Sequence, residues 1–233
     1  TMIYGDLIAA LRHELSPKAD LPTPVFAFAY DWRQDLERAA RRLDEFIEEV
    51  VARTKLLRHY KGYEQDARVD LVAHSMGGLV ICEYLKRYGS KRCVRKVVTI
   101  ATPFLGSIEA VVKLTTGMGN LSGTIPSERE REMARSTPSV YHLLPSYDDA
   151  VEAKVPGLLT DLFQPGAWQP SIVASLQEYV RLNSVKAGDA KENAALASAL
   201  LARLLSAAAA HRTRVRALSL AECGLGANDW LVV

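Results

Sequence analysis

Cysteine, long apolar runs and charge of one sign are all scarce in this chain, and each scarcity removes a class of protein. Cys82, Cys93 and Cys223 are odd in number, widely spaced and without metal-ligand companions, which argues against a disulfide framework or a zinc module. Such a set fits a reduced compartment and leans towards the cytoplasm. With no run of about 18 apolar residues, no membrane-spanning segment is expected. The start, TMIYGDLIAALRHEL, is amphipathic and carries Asp6, Arg12 and Glu14, unlike a secretory leader. Net charge is only +2 and no basic stripe is interleaved with aromatics, so nucleic acid is not an expected partner. Internal repeats and low-complexity linkers are also missing.

What is present is enough for one α/β domain with a large core: 233 residues, 48% apolar and 24% charged. The chain is organised around Arg68 to Tyr88, RVDLVAHSMGGLVICEYLKRY. Val69, Leu71 and Val72 read as a buried strand, and the turn-prone Ser75, Gly77 and Gly78 follow. Leu79, Val80, Cys82, Tyr84 and Leu85 then recur at helical spacing, with Glu83, Lys86 and Arg87 on the other side and Gly89 as the stop. Strand, sharp turn with serine at its tip, helix is the pattern of a nucleophile elbow, with Ala73 in place of the first glycine of G-x-S-x-G. Ser75 would be the nucleophile, and Met76 would offer its backbone N–H to a developing oxyanion. The plainer alternative is that Ser75 only caps the helix.

Around this centre, Tyr4 to Leu15 reads as a helix and Val25 to Ala29 as a short strand ending in the cluster Tyr30-Asp31-Trp32-Arg33. At the carboxyl end of a strand such a cluster is either ligand-facing or a knot in which Asp31 and Arg33 pair while Trp32 fills space. Asp35 to about Leu57 is a long amphipathic helix burying Leu36, Ala40, Leu43, Ile47, Val50 and Val51. Its opposite face, with Arg38, Arg41, Arg42, Glu45, Glu48 and Glu49, reads as solvated. Val94 to Ala101 is a further strand, followed by Thr102-Pro103-Phe104-Leu105-Gly106-Ser107. Alternation of strand and helix predicts a mostly parallel sheet with helices on both faces. It fails after Gly106, where residues 107 to about 170 read as an irregular insertion, either a cap or lid or a surface excursion. Helices are expected over Gln169 to Leu182 and Lys186 to about Ala210, the latter burying Leu196, Leu200, Leu201, Leu204 and Leu205. Val215 to Leu220 and Trp230 to Val233 are the last strand candidates.

YDWR after a strand, AHSMGG at the elbow, TPFLGS after the next strand and EREREMARSTPSVYHLLPSY in the insertion occur in this order. Together they resemble the lecithin:cholesterol acyltransferase family of α/β-hydrolases, over roughly Tyr4 to Tyr147. The resemblance implies the α/β-hydrolase fold as a single, partial domain over residues 1–233, with a cap or lid insertion at about 107–170 after the strand that follows the elbow. It also implies an acyl-enzyme mechanism, in which serine attacks a lipid ester and passes the acyl group to an alcohol or to water. A lid between Ser107 and Arg135 follows from it, hinged at Gly117, Gly119 and Gly123, in contact with a lipid surface and supported by Asp31, Trp32 and Arg33. No metal or organic cofactor is implied. Family order places the acid and then the histidine after the serine. His142 falls where the family has a packing residue, His211 reads as the charge partner of a helix C-terminus, and His74 would point away from Ser75. Asp148, Asp149 and Asp161 lie in or near the insertion. The acid and histidine are therefore expected beyond Val233, and the first central strand before Thr1. A serine acyltransferase or lipase-like hydrolase is the leading reading, and a non-catalytic hydrolase-fold protein binding a lipid or a protein partner is the alternative.

Overall fold

The computed structural model describes residues 4–60, 67–89, 93–118, 126–147, 149–152, 154, 160–183 and 189–217. The elements in order are α1 (Gly5–Glu14), α2 (Leu36–Thr54), β1 (Val69–His74), α3 (Met76–Tyr88), β2 (Val94–Ile100), α4 (Ile108–Thr116), α5 (Glu128–Arg135), α6 (Pro138–His142), α7 (Pro170–Asn183) and α8 (Ala190–Ala217), with a 3-10 turn at Pro165–Ala167. The architecture is α/β, and the described sheet is β1 paired in parallel with β2. A register irregularity between Val69 and Asp70 precedes regular pairing of Leu71 with Val97 and His74 with Ile100. Alternation along β1 sends Val69, Leu71 and Ala73 towards the helices and leaves Asp70, Val72 and His74 exposed. Helices on both faces of the sheet were expected; on this face of β1 the described contact is that of Tyr4, at the start of α1, with His74.

The expected strand at Val25 to Ala29 is not a strand. Phe26, Phe28 and Tyr30 are half-buried and Ala27 and Ala29 exposed, so the period of two survives, but no described segment supplies a hydrogen-bonding ladder. Phe28 stacks on Tyr30 and meets Phe46 of α2, so side chains rather than backbone hold the segment. The long helix forms as its periodicity dictates. Asp35 caps α2 through the Glu37 N–H, and Leu36, Ala39, Ala40, Leu43 and Ile47 are buried, with Val50 and Val51 at the margin. The charged face is solvated and carries the exposed pairs Arg41–Glu37, Arg42–Glu45 and Arg53–Glu49.

The described part of the insertion after Gly106 contains α4, α5, α6 and the 3-10 turn, joined by irregular segments. Gly117 closes α4 in the left-handed conformation (φ 75°), a helix C-cap. Of the other expected hinges, Gly119 and Gly123 lie outside the described residues. At the end of α5, Arg135 is buried despite its polar string. Its guanidinium donates to the Leu114 carbonyl (2.8 Å), the Ser171 carbonyl (3.0 Å) and Ser175 Oγ (2.8 Å), tying α4, α5 and α7 together. Helix α8 continues to Ala217, so the strand expected from Val215 is helical up to that point; the rest of it and Trp230 to Val233 lie outside the described residues. Along α8, Ala197, Leu201, Leu204, Leu205 and Ala208 are buried, whereas Leu196 is exposed: the apolar stripe passes one position beyond it. Ala190–His211 is long and apolar enough by length and composition to cross a membrane, and here one face of it is core.

Two apolar cores result. One gathers α2, α3, β1 and β2 around Leu36, Leu79, Tyr84 and Val97, and the other gathers α4 to α8 around Leu114, Tyr141, Leu176 and Leu201. Leu143 touches both. The seam between them is polar. His142 of α6 meets Asp35 at 3.1 Å, His211 of α8 meets Glu83 of α3 at 3.0 Å, and the two imidazoles lie edge to face with centroids 5.4 Å apart. Glu83 also accepts from Arg87, which reaches Glu37 of α2 at 3.0 Å. Glu83 and His211 are both 2% exposed. Two expectations change here: Glu83 is not on the solvent side of its helix, and His211 lies within α8, not at its end.

Burial raises the Asp35 carboxyl, but the bond and charge of His142, the Glu37 amide and the charge of His211 outweigh it, leaving Asp35 below its ordinary value of 3.8. A carboxylate held below its unfolded value stabilises the fold above that unfolded value, and the contribution is lost as pH falls through the folded one. Asp35→Asn keeps a capping acceptor but cannot ionise. Its urea midpoint is expected below wild type at neutral pH, with the gap closing as pH drops below about 4. Glu83→Ala removes the buried carboxylate that faces His211, while Arg87 keeps Glu37, and is expected to cost about 3 kcal/mol or more by urea denaturation; a loss under about 0.5 kcal/mol, the range of ordinary surface substitutions, would show that the seam does not hold the cores.

Candidate functional site

Ser75 stands between β1 and α3 with φ 53° and ψ −129°. That combination is sparsely populated for any residue with a Cβ and costs on the order of 1–3 kcal/mol. An ordinary N-cap serine has extended backbone and accepts from the helix's first N–H groups; Ser75 has neither the geometry nor a side-chain cap hydrogen bond. The capping explanation therefore fails. The serine occupies the cap position with its hydroxyl uncommitted to the helix.

The turn is closed by its neighbours. The Ser75 N–H donates to the Ile100 carbonyl at 2.8 Å, extending the β1–β2 pairing into the turn. The Ser75 carbonyl accepts from Gly78 N–H at 3.1 Å and from Thr102 Oγ1 at 3.0 Å. Small residues are required for this crowding. A Cβ on Gly77 would sit 3.3 Å from the Ala73 methyl, and one on Gly78 would collide with Thr102, 2.1 Å from Oγ1. Alanine at position 73 thus fits where the more usual glycine stands. Ala101, just before Thr102, is also left-handed (φ 49°), so both strands leave the sheet through strained residues side by side.

Met76 opens α3, and at the start of a helix the first N–H groups, here those of Met76 and Gly77 ahead of the engaged Gly78, have no intrahelical acceptor. They point, with the positive end of the helix, to the space before the turn. His74 faces the exposed side of β1 and bonds to Tyr4 Oη at 3.0 Å. His142 and His211 are engaged in the seam, so among the described residues no histidine is hydrogen-bonded to Ser75.

The expected cluster after residue 29 is a self-contained turn. Arg33 pairs with Asp31 through Nε (2.8 Å) and Nη2 (2.9 Å), and its backbone N–H reaches the same carboxylate at 3.1 Å. These bonds hold the Asp31 carboxyl well below the usual range. Trp32 is about half exposed, so it does not fill a core. The bonds of Asp31 and Arg33 run within this turn, and Gln34 adds another to Asp31 at 3.3 Å. Sequence reasoning assigned no role to Thr102, although it quoted the TPFLGS string that contains it. The signal was the β-branched hydroxyl placed directly after a strand that neighbours the elbow.

Comparison with known proteins adds the family. No curated protein matches the chain. Among solved structures, a chain described under "The crystal structure of Tle4-Tli4 complex" superposes with a TM-score of 0.54 at 18% sequence identity, covering 77% of this chain and 41% of that one. This chain thus spans about two fifths of that neighbour's length, and at such identity the likeness concerns fold alone. The profile described as Lecithin:cholesterol acyltransferase matches residues 21–199, from before the YDWR turn through the elbow and the helical insertion into α8. With most of its length inside that match, the chain belongs to the lecithin:cholesterol acyltransferase family.

Proposed function

We propose that this chain carries the nucleophile portion of an α/β-hydrolase-fold serine enzyme that cleaves lipid esters, passing the acyl group to an alcohol or to water through an acyl-enzyme at Ser75. The observation that carries the reading is the Ser75 backbone at φ 53°, ψ −129° with a hydroxyl that caps nothing. Strain of this kind persists where the surrounding structure enforces it, and here it projects a hydroxyl at a helix N-terminus. Met76 N–H is the oxyanion donor in this reading. Apolar substrate is favoured by the exposed side chains of Phe104, Leu105, Ile108 and Val112, which begin two residues after the threonine touching Ser75. The lid of this reading lies within segment 107–135, whose Ala110, Leu114, Ala134 and Arg135 are themselves packed in the helical core, and the Asp31–Arg33 turn with Trp32 would support its edge. The acid and histidine of the triad are assigned to residues other than those described.

Fluorophosphonate treatment of the full-length protein is expected to label Ser75. Ser75→Ala is expected to abolish labelling, keep its melting temperature and lower turnover of a p-nitrophenyl ester on the order of 10³-fold or more. A folded full-length protein in which Ser75 resists the probe would instead favour a lipid- or protein-binding module. Arg33→Ala opens the bidentate turn and is expected to lower turnover several-fold; unchanged melting temperature and turnover would remove Asp31 and Arg33 from the site.

A further inference from the structure

The Ser75 backbone has both of its polar groups taken by the chain that follows β1: its N–H donates to the Ile100 carbonyl, and its carbonyl accepts from Thr102 Oγ1. A peptide unit is planar and trans, so the Ser75 carbonyl and the Met76 N–H point in opposite directions from one rigid plate. Whatever fixes that carbonyl also fixes where the N–H aims. We propose that Thr102 is a positioning residue whose hydroxyl, by holding the Ser75 carbonyl, aims the Met76 N–H at the oxyanion; this rests on the reading of Ser75 as nucleophile.

Three observations converge on it. Thr102 Oγ1 lies 3.0 Å from the Ser75 oxygen, with the Gly78 N–H on the same acceptor at 3.1 Å. The Thr102 side chain fills the space that a side chain at position 78 would need, since Oγ1, Cγ2 and Cβ all fall within 2.8 Å of a Cβ built there. Packed against the α3 backbone, the hydroxyl has little freedom to turn away. Ala101, left-handed at φ 49°, supplies the bend that brings Thr102 across to the elbow. Helix capping does not explain this contact, because the Gly78 N–H alone closes the turn. The threonine adds a second donor to a carbonyl already satisfied, as expected where the orientation of the plate matters.

Thr102→Val keeps the shape and removes the hydroxyl; Thr102→Ser keeps the hydroxyl and removes the methyl. For the full-length protein, Thr102→Val is expected to lower kcat for a p-nitrophenyl ester about 10- to 100-fold with KM within about twofold, because the oxyanion donor is engaged only in the transition state. Thr102→Ser is expected to recover most of that loss. In NMR spectra the Met76 amide and Ser75 carbonyl resonances should move in Thr102→Val and return in Thr102→Ser. Wild-type kcat in Thr102→Val with unmoved resonances would overturn the proposal, as would a Thr102→Ser variant as impaired as Thr102→Val, which would assign the effect to the methyl. If the wild-type protein resists the fluorophosphonate, the nucleophile reading fails by itself. The resonances then report the contact alone: movement restored by serine shows that Thr102 holds the Ser75–Met76 plate without an oxyanion to serve, and no movement refutes the hold as well.

Discussion

Two apolar cores share a seam whose polar groups can be satisfied only in one arrangement, and the rest of the molecule is arranged around that requirement. Apolar contacts have little directional preference. A buried carboxylate facing an imidazole has one, because a slip leaves charge in an apolar setting without its partner. Glu83 with His211, both buried, therefore sets the register between the sheet side and the helical side of the protein, and Asp35 with His142 closes the seam where the carboxylate is partly exposed. Arg87 extends the same constraint to Glu37, so α2, α3, α6 and α8 meet at one place.

Helix α3 connects this seam to the chemistry. Its middle carries Glu83, fixed between Arg87 and His211, and its first residue is Met76. A helix is rigid along its axis, so holding the middle limits how the first turn can tilt. The turn is held again from the other side by Ile100 and Thr102 at the end of β2. Ser75 sits where these two restraints meet, and such double restraint is what allows an unfavourable backbone conformation to persist.

Much of the centre was legible in the sequence because its signals are local. A short apolar run before Ser75, small residues at the turn and helical spacing after it define β1, the elbow and α3 within twenty residues or so, and α2 announced itself by helical periodicity; the run took Val72 for a buried residue, whereas the alternation of the strand leaves it exposed. What the sequence did not disclose depends on distant partners. Glu83 sits among residues read as a polar face, and the histidine that draws it inward is 128 positions away. His211, followed by Arg212 and Arg214, resembled a helix end, yet α8 runs past all three. Arg135 was hidden in a string of charges, though carbonyls and a hydroxyl from two other helices, α4 and α7, surround it. The apolar run at Val25 to Ala29 alternates in burial from Phe26 on, as a strand would, but a strand is defined by a ladder, and an apolar run cannot report whether a neighbour is there. Ser75 was legible as a candidate; that it does not act as a cap was not, since the two uses of a serine differ in φ and ψ and not in residue type.

The groups that distort Ser75 all lie between Val69 and Thr102, within one strand–helix–strand unit. Parallel strands joined through a helix are the shortest route to a parallel pair, and contacts this close in sequence carry a small loop-closure cost. The elbow's geometry is accordingly a property of one local unit of β1, α3 and β2. Helices α4 to α8 contribute none of the hydrogen bonds that close it, so the long-range seam secures the placement of the elbow and not its shape.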